Sequence, residues 1–274
     1  MNNSYATGSV TSGDNRVGGL VGYMYYRTTI DNSYATGDVS SSGNDYAGGL
    51  VGHSAFHSNI SNSHAIGDVS GYNYVGGLVG IAEQYSNIDN CYALGFVNGT
   101  SWYVGGLVGY NSVQSVINNS HSNGSVTSPF GDVGGLVGQN YYSTIDNSYA
   151  TGNVTGSGAY ENIGGLVGHG KTNSLIDNCY ATGDVSGYFY VGGLVGYNED
   201  SSVIDNSYAT GNVNADDETT GGLVGMNTQN SEIRNSFATR DVSGLEYAGG
   251  LVGQNYLYST VDNCYATGNV KAKR

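Results

Sequence analysis

The chain has almost no proline, few cysteines, few cations and no long apolar run. Pro129 is the one proline in 274 residues, whereas glycine reaches 46. Collagen needs glycine and proline together in a three-residue period, and disordered low-complexity chains carry both without a period; neither fits. Lys and Arg number 8 against 22 Asp and Glu, a formal net charge of −14. That disfavours a nucleic-acid partner, which needs a basic stripe, so none is expected, and it disfavours an anionic membrane surface. No segment is apolar for long enough to span a bilayer, so no membrane insertion is expected. The opening Met1-Asn2-Asn3-Ser4 shows no export signal, having neither the basic nor the apolar region of a signal peptide. Helical signals are missing too: there is no 3.6-residue apolar period, and Glu, Lys and non-motif Leu are scarce. With charged residues at 11%, the surface must be built largely from Ser, Thr, Asn and Tyr.

What is present is a repeat. Gly-Gly-Leu-Val-Gly runs over 18–22 and returns at Gly48, Gly76, Gly105, Gly134, Gly164, Gly192, Gly221 and Gly249. The step is about 29 residues, inside the range of solenoids and arrays. A second motif, Ile-Asp-Asn-Ser-Tyr-Ala-Thr-Gly-Asp-Val at 30–39, alternates with it, its copies ending at valines from Val10 to Val270. Spacing is nearly constant, the Gly134 copy alone being one residue shorter. Length varies mainly between the closing Val and the next Gly-Gly. Fixed strands joined by variable loops predict an all-β fold, a β-solenoid of about ten stacked coils forming one continuous domain over 1–274.

In the second motif Ser33, Ala35, Gly37 and Val39 share one parity and Tyr34, Thr36 and Asp38 the other. Period two puts the small set inside and the larger polar set outside. Arg240 replaces the Gly of its column, which predicts a bend near solvent, since an Arg in a narrow core is costly. The Leu-Val segment carries apolar groups on both parities and reads as a strand buried on both sides. A second layer, from the variable loops or a partner, is expected to cover it.

Two columns stand out. An Asn recurs in every copy: Asn3, Asn32, Asn62, Asn90, Asn119, Asn147, Asn178, Asn206, Asn235 and Asn263. Stacked coils place these amides about 4.8 Å apart, so each is expected to donate to the carbonyl of the next in a turn-fixing structural ladder. The aromatic column runs Tyr5, Tyr34, His64, Tyr92, His121, Tyr149, Tyr180, Tyr208, Phe237 and Tyr265. It reads as a stabilising ladder, or as a stripe for glycan or protein, with Tyr34, Tyr92, Tyr149, Tyr180, Tyr208 and Tyr265 as its binding residues.

The two motifs together resemble the GLUG repeat family, named for a Gly-Leu-hydrophobic-Gly core, here Gly19-Leu20-Val21-Gly22 and its eight later copies. The resemblance covers the whole chain. It implies a large bacterial secreted or surface protein, adhesin-like, in which the repeats are accessory rather than catalytic. It carries no catalytic residue to this sequence.

The residues point away from chemistry. Cys91, Cys179 and Cys264 replace Ser in three copies, about 14 Å apart along the stack, too far to pair in one chain. His53 and His57 are four apart, in what reads as a loop, without the acid of a metalloprotease helix. Asp31, Asp89, Asp146, Asp177, Asp205 and Asp262 form one column and Asp38, Asp68, Asp184 and Asp241 another. A repeated Asp is the residue of a turn before it is a general acid. Asp216-Asp217-Glu218 follows no calcium-loop pattern. No catalytic residue, metal or cofactor is therefore expected.

The function expected is a non-catalytic extracellular structural or adhesive array at the cell surface. Its partners would be glycan, host or cell-surface protein, or its own copies end to end. The alternatives are a carbohydrate-binding module using the Tyr column, and an ice binder using Thr7, Thr36, Thr151, Thr182, Thr210, Thr239 and Thr267, a row broken by Ile66, Leu94 and Asn123. The chain begins and ends on the same half-coil, with only Lys271-Ala272-Lys273-Arg274 after the last valine. This predicts either head-to-tail filaments or a segment of a longer array.

Overall fold

The computed structural model describes residues 1–13, 15–43, 46–158 and 161–273; Arg274 of the basic tail lies outside them. All regular structure in it is β-strand. The chain winds as a solenoid whose coils each contribute a short strand to five parallel sheets. In chain order the first sheet begins at Tyr5–Ala6 and the second at Val10–Ser12. The third begins at Val17–Gly18, the fourth at Val21–Tyr25 and the fifth at Thr29–Asp31. The first two sheets have ten strands and the other three have nine, so nine full turns are followed by a half-turn. Pairing is in register throughout, as in Ile60 beside Ile30 and Ile88, so identical positions stack.

The turns explain the motif. Every Asn of the ladder column has φ between 46° and 52°. Asn is one of the few residues that tolerates this left-handed conformation, and it divides the fifth sheet from the first. Between the fourth and fifth sheets most coils use two successive left-handed residues, such as Tyr26 and Arg27 or Phe56 and His57. The shortened Gly134 coil has one, Tyr142. The deletion thus falls in the turn and leaves both strands in register.

Parity in the second motif is as expected. Ser148, Ala150, Gly152 and Val154 are buried, while Tyr149 and Thr151 are half-exposed and Asn153 fully so. Arg240 is exposed at a bend, as its charge requires. The Leu-Val segment differs from expectation. It is not one strand but two limbs of a fold-back within the coil, turning at Gly19-Leu20. A Cβ on Gly48 would strike the carbonyl oxygen of Val51, and one on Gly52 would lie 2.7 Å from the backbone nitrogen of Val17. The limbs therefore pack backbone to backbone, which only glycine permits. Each limb is the other's second layer, and neither loops nor a partner supply it.

This fold-back pinches the interior into two cores. One holds Leu78, Val79, Ile88 and Ala93 and their stacked equivalents. The other holds Val69, Val75, Val97 and Val104 and theirs. The tip of the fold-back meets the alanine column, where a Cβ on Gly49 would lie 2.8 Å from the Ala65 Cβ. Ala stands there because a larger residue would collide with the tip. A buried amide ladder also runs inside the fourth sheet. Asn111 donates to Asn140 at 2.8 Å, Asn198 to Asn227 at 2.9 Å, and Asn227 to Asn255 at 2.8 Å.

Candidate functional site

The Asn column borders the aromatic column, and the two flank an open groove of about 520 Å³ near Asn32, Asn62, Tyr34 and His64. Amide-to-amide rungs occur at Asn32 to Asn3, Asn90 to Asn62 (2.7 Å) and Asn263 to Asn235 (2.7 Å). Elsewhere the acceptor is the neighbouring aspartate. Asn62 donates to Asp31 at 2.8 Å, Asn119 to Asp89 at 3.1 Å and Asn178 to Asp146 at 3.3 Å. Asn206 donates to Asp177 at 3.0 Å and Asn235 to Asp205 at 2.8 Å, while Asn147 bonds Asp146 of its own coil at 2.8 Å. A carboxylate is the better acceptor, so the amide turns toward it. Hydrogen bonds from Asn62 and then Ser61 hold the Asp31 carboxyl below its usual range. The Asp column is thus engaged in the turns, opposite the role of a free acid.

The aromatic column is one continuous stack of ten rings. Centroids are 5.3 Å apart from Tyr5 to Tyr34, 4.6 Å from His64 to Tyr92 and 4.8 Å from Tyr149 to Tyr180. The rings of Tyr180, Tyr208, Phe237 and Tyr265 follow at 5.0, 4.9 and 5.0 Å, with planes within 5° of parallel. Each internal ring spends both faces on its neighbours and shows solvent an edge. Sugar rings stack on faces, so this geometry argues against Tyr34, Tyr92, Tyr149, Tyr180 and Tyr208 as a stacking platform. Thr36 and Thr151 are half-exposed beside those rings.

Sequence reasoning missed a second seam, at the mouth of the fold-back. Residues just before the third sheet and two after the Leu-Val pair meet there across the limbs. Tyr46 lies 5.1 Å from both His53 and Tyr74, and Tyr103 5.1 Å from Tyr110. Burial, the leading cause, pushes the Tyr103 hydroxyl up to about 12 and that of Tyr110 higher still. Two polar clusters interrupt the seam. In the first, Arg16 Nε donates to His53 Nδ1 at 3.0 Å and His53 Nε2 lies 2.9 Å from Glu83 Oε1. His53 belongs to the strand Val51–Ala55, not to a loop, and only His57 is in the turn, stacked 4.8 Å from Tyr85.

In the second cluster, His169 Nδ1 lies 3.3 Å from Asp132 Oδ2, and His169 Nε2 lies 3.2 Å from Glu199 Oε1. Lys171 Nζ is 3.1 Å from the same glutamate oxygen. Gln139 and Asn162 donate to Asp132 at 2.7 and 2.6 Å. Burial opposes charge on His169, but Asp132 and Glu199 outweigh it and push its pKa up to about 9. The His169 hydrogen bond, against desolvation and with help from Lys171, holds the Glu199 carboxyl at about 2. Two anions and two cations thus neutralise one another. Both ring nitrogens of each histidine are engaged, and among the described residues no nucleophilic side chain is bonded to either. The signal that could have revealed the seam is the irregularity of these positions inside an otherwise strict repeat.

Cys91 and Cys179 are buried, free thiols. They occupy the serine role: Cys91 Sγ is 3.2 Å from the Asp89 carbonyl, where Ser63 Oγ is 2.6 Å from that of Ser61. Burial pushes both thiols up to about 12. Asp216 pairs with Lys273 Nζ at 2.5 Å. Among the described residues, no helix is long and apolar enough to cross a membrane.

Parallel, in-register coils built on a glycine-lined fold-back define a β-solenoid repeat protein. The GLUG motif family model matches residues 13–40, 43–70, 71–98, 100–127, 131–155, 159–186, 187–214, 216–243 and 244–271, and the chain belongs to that family. No curated protein matches it.

Proposed function

We propose that this array is a non-catalytic extracellular rod that holds adhesive surfaces away from the body of its protein. The observation that carries the reading is the unbroken register of five parallel sheets over every coil. Such a stack gains length by adding coils, each contacting only its neighbours, and resists bending through all five sheets at once. The ionisable groups around His169 compensate one another instead of converging on an open cleft. Family membership supports a secreted or surface setting, since GLUG repeats occur in such proteins.

Small-angle scattering should give an unbent cylinder whose length matches about 4.8 Å per coil. A panel of glycan and peptide substrates should show no turnover. A compact particle would overturn the rod, and hydrolase or lyase activity abolished by one Asp substitution would overturn the non-catalytic assignment. A second reading, end-to-end extension, rests on the register itself. The pairing of Tyr5 with Tyr34 and of Phe237 with Tyr265 is the kind a further coil would continue, from this chain or another molecule. Filaments seen by electron microscopy at moderate salt, where the −14 charge is screened, would support it. A monomer at high concentration would exclude it.

A further inference from the structure

We propose that the first full coil carries a binding strip for an acidic oligosaccharide, formed by Arg16, Tyr23, Tyr25, Tyr26 and Arg27. The proposal rests on the adhesive part of the reading above and names where adhesion would occur.

Arg16 and Arg27 are the only cations before Lys171 in a chain of net charge −14. Among the described residues, neither forms an ion pair with a carboxylate, whereas Lys171, Arg234 and Lys273 all do. The Arg16 guanidinium carbon lies 4.5 Å from the Tyr23 ring centroid, and its Nε bond to His53 takes one of five donors. Tyr23 is 5.6 Å from Tyr25, and Tyr25 is 6.4 Å from Tyr26. The guanidinium carbon of Arg27 lies 5.5 Å from the Tyr26 ring. The result is a continuous Arg–Tyr–Tyr–Tyr–Arg strip on the side of the solenoid.

This strip differs from the stacked column in the way recognition requires. Its rings are tilted by 41° and 38° rather than stacked flat. At this edge of the fourth sheet Tyr23, Tyr25 and Tyr26 are 41%, 52% and 59% exposed, whereas the internal equivalents of Tyr23, such as His53 and Ile81, are buried under the preceding coil. Phe56 braces Tyr25 edge-on at 4.9 Å. The scaffold beneath is constant: Tyr26 and Arg27 occupy the left-handed pair that recurs as Gln84-Tyr85, Thr172-Asn173 and Asp200-Ser201. Only the side chains change from coil to coil, as in binding loops carried on a rigid frame.

The chemistry selects the ligand. Arg16 covers one face of Tyr23 and Arg27 one face of Tyr26, so the exposed Tyr25 and Tyr26 rings are what remain for the C–H faces of pyranose rings, while a guanidinium matches a carboxylate in bidentate geometry. Cations at both ends of an aromatic strip fit a chain with separated acidic groups. The acidic remainder of the molecule repels long polyanions, nucleic acid included.

The test is calorimetric titration with oligogalacturonate and with a neutral galacto-oligosaccharide of equal length. Saturable binding of the acidic chain is expected, at least tenfold tighter than the neutral one and weakened by salt. Arg27→Gln and Tyr26→Ala, both on an exposed turn, should each weaken it about tenfold with melting unchanged. Lys271→Gln with Lys273→Gln, at the far end, should leave it intact. Equal binding of both sugars, wild-type affinity in Arg27→Gln, or equal loss in the lysine variant would overturn the proposal. So would a dimer in sedimentation that Arg27→Gln abolishes, since the strip would then hold an acidic segment of a second copy. Absent sugar binding with a rod-like scattering profile removes the strip and leaves the rod standing.

Discussion

His53 and His169 occupy the same corner of the solenoid, 116 residues apart, and each faces a glutamate one coil further on: Glu83 at 2.9 Å and Glu199 at 3.2 Å. What differs is the third member. Arg16 donates to Nδ1 of His53, so that ring carries its proton on Nε2. Asp132 faces the same nitrogen of His169, so that ring is doubly protonated. Arg16 and Asp132 each stand one residue before a valine of the third sheet, Val17 and Val133, so the exchange changes the charge facing the imidazole at one place in the coil.

Stability should therefore depend on pH in a defined way at the second cluster. A histidine raised to about 9 contributes fully below its ordinary 6.5 and loses that contribution as pH rises through 9. A glutamate lowered to about 2 contributes fully above 4.5 and loses it as pH falls through 2. The gap in melting temperature between wild type and His169→Gln should be widest between pH 4.5 and 6.5. By pH 10 the corresponding free-energy difference should shrink by about 3 kcal/mol. A constant gap across that range would show that His169 is neutral.

The buried amide ladder has a gap at Gly170, where the flanking positions are Asn140 and Asn198. The Asn198 Oδ1 is buried without a partner, and a Cβ on Gly170 would lie 3.0 Å from it. Gly170→Asn should supply the missing donor and stabilise the chain by about 1–2 kcal/mol, read in urea titration. A lower midpoint would mean that the neighbouring Ser174 cannot move aside.

One added methyl at the fold-back should cost as much as the loss of a whole buried side chain. Leu107→Ala leaves a cavity in a fully buried column and should cost about 2–5 kcal/mol. Gly105→Ala adds one methyl, yet that methyl meets the Val108 carbonyl oxygen, a backbone atom held by the sheet. Its cost should be about 3 kcal/mol or more, large for so small a change. Chemical denaturation of the two variants side by side checks the comparison.

The three thiols should react in order of exposure. Cys264 is half-buried and should be labelled by a thiol reagent in the native protein, with Cys91 and Cys179 protected until unfolding. Their pKa near 12 leaves almost no thiolate at neutral pH. Mass spectrometry of labelled peptides reads the order directly.

Much of the architecture is legible in the residues alone, because in-register stacking makes every coil repeat the same local conditions. The 29-residue period sets the coil, the parity of Ser33, Ala35 and Val39 sets the inward face, and Asn at a left-handed position marks the turn. The single-residue deletion after Gly134 is visible in the spacing, but only the structure puts it in the turn at Tyr142. Parity fails at Leu20 and Val21, because a fold-back resets which way alternate residues point. Only the tertiary structure decides that Gly18 packs against the backbone of Val21 and of Gly52 in the next coil. That contact closes the limbs and brings Asp132, Gln139, His169 and Glu199 together from successive coils. Local propensity sees neighbours along the chain; these four become neighbours through stacking and a glycine contact, so no spacing rule within one coil could have joined them.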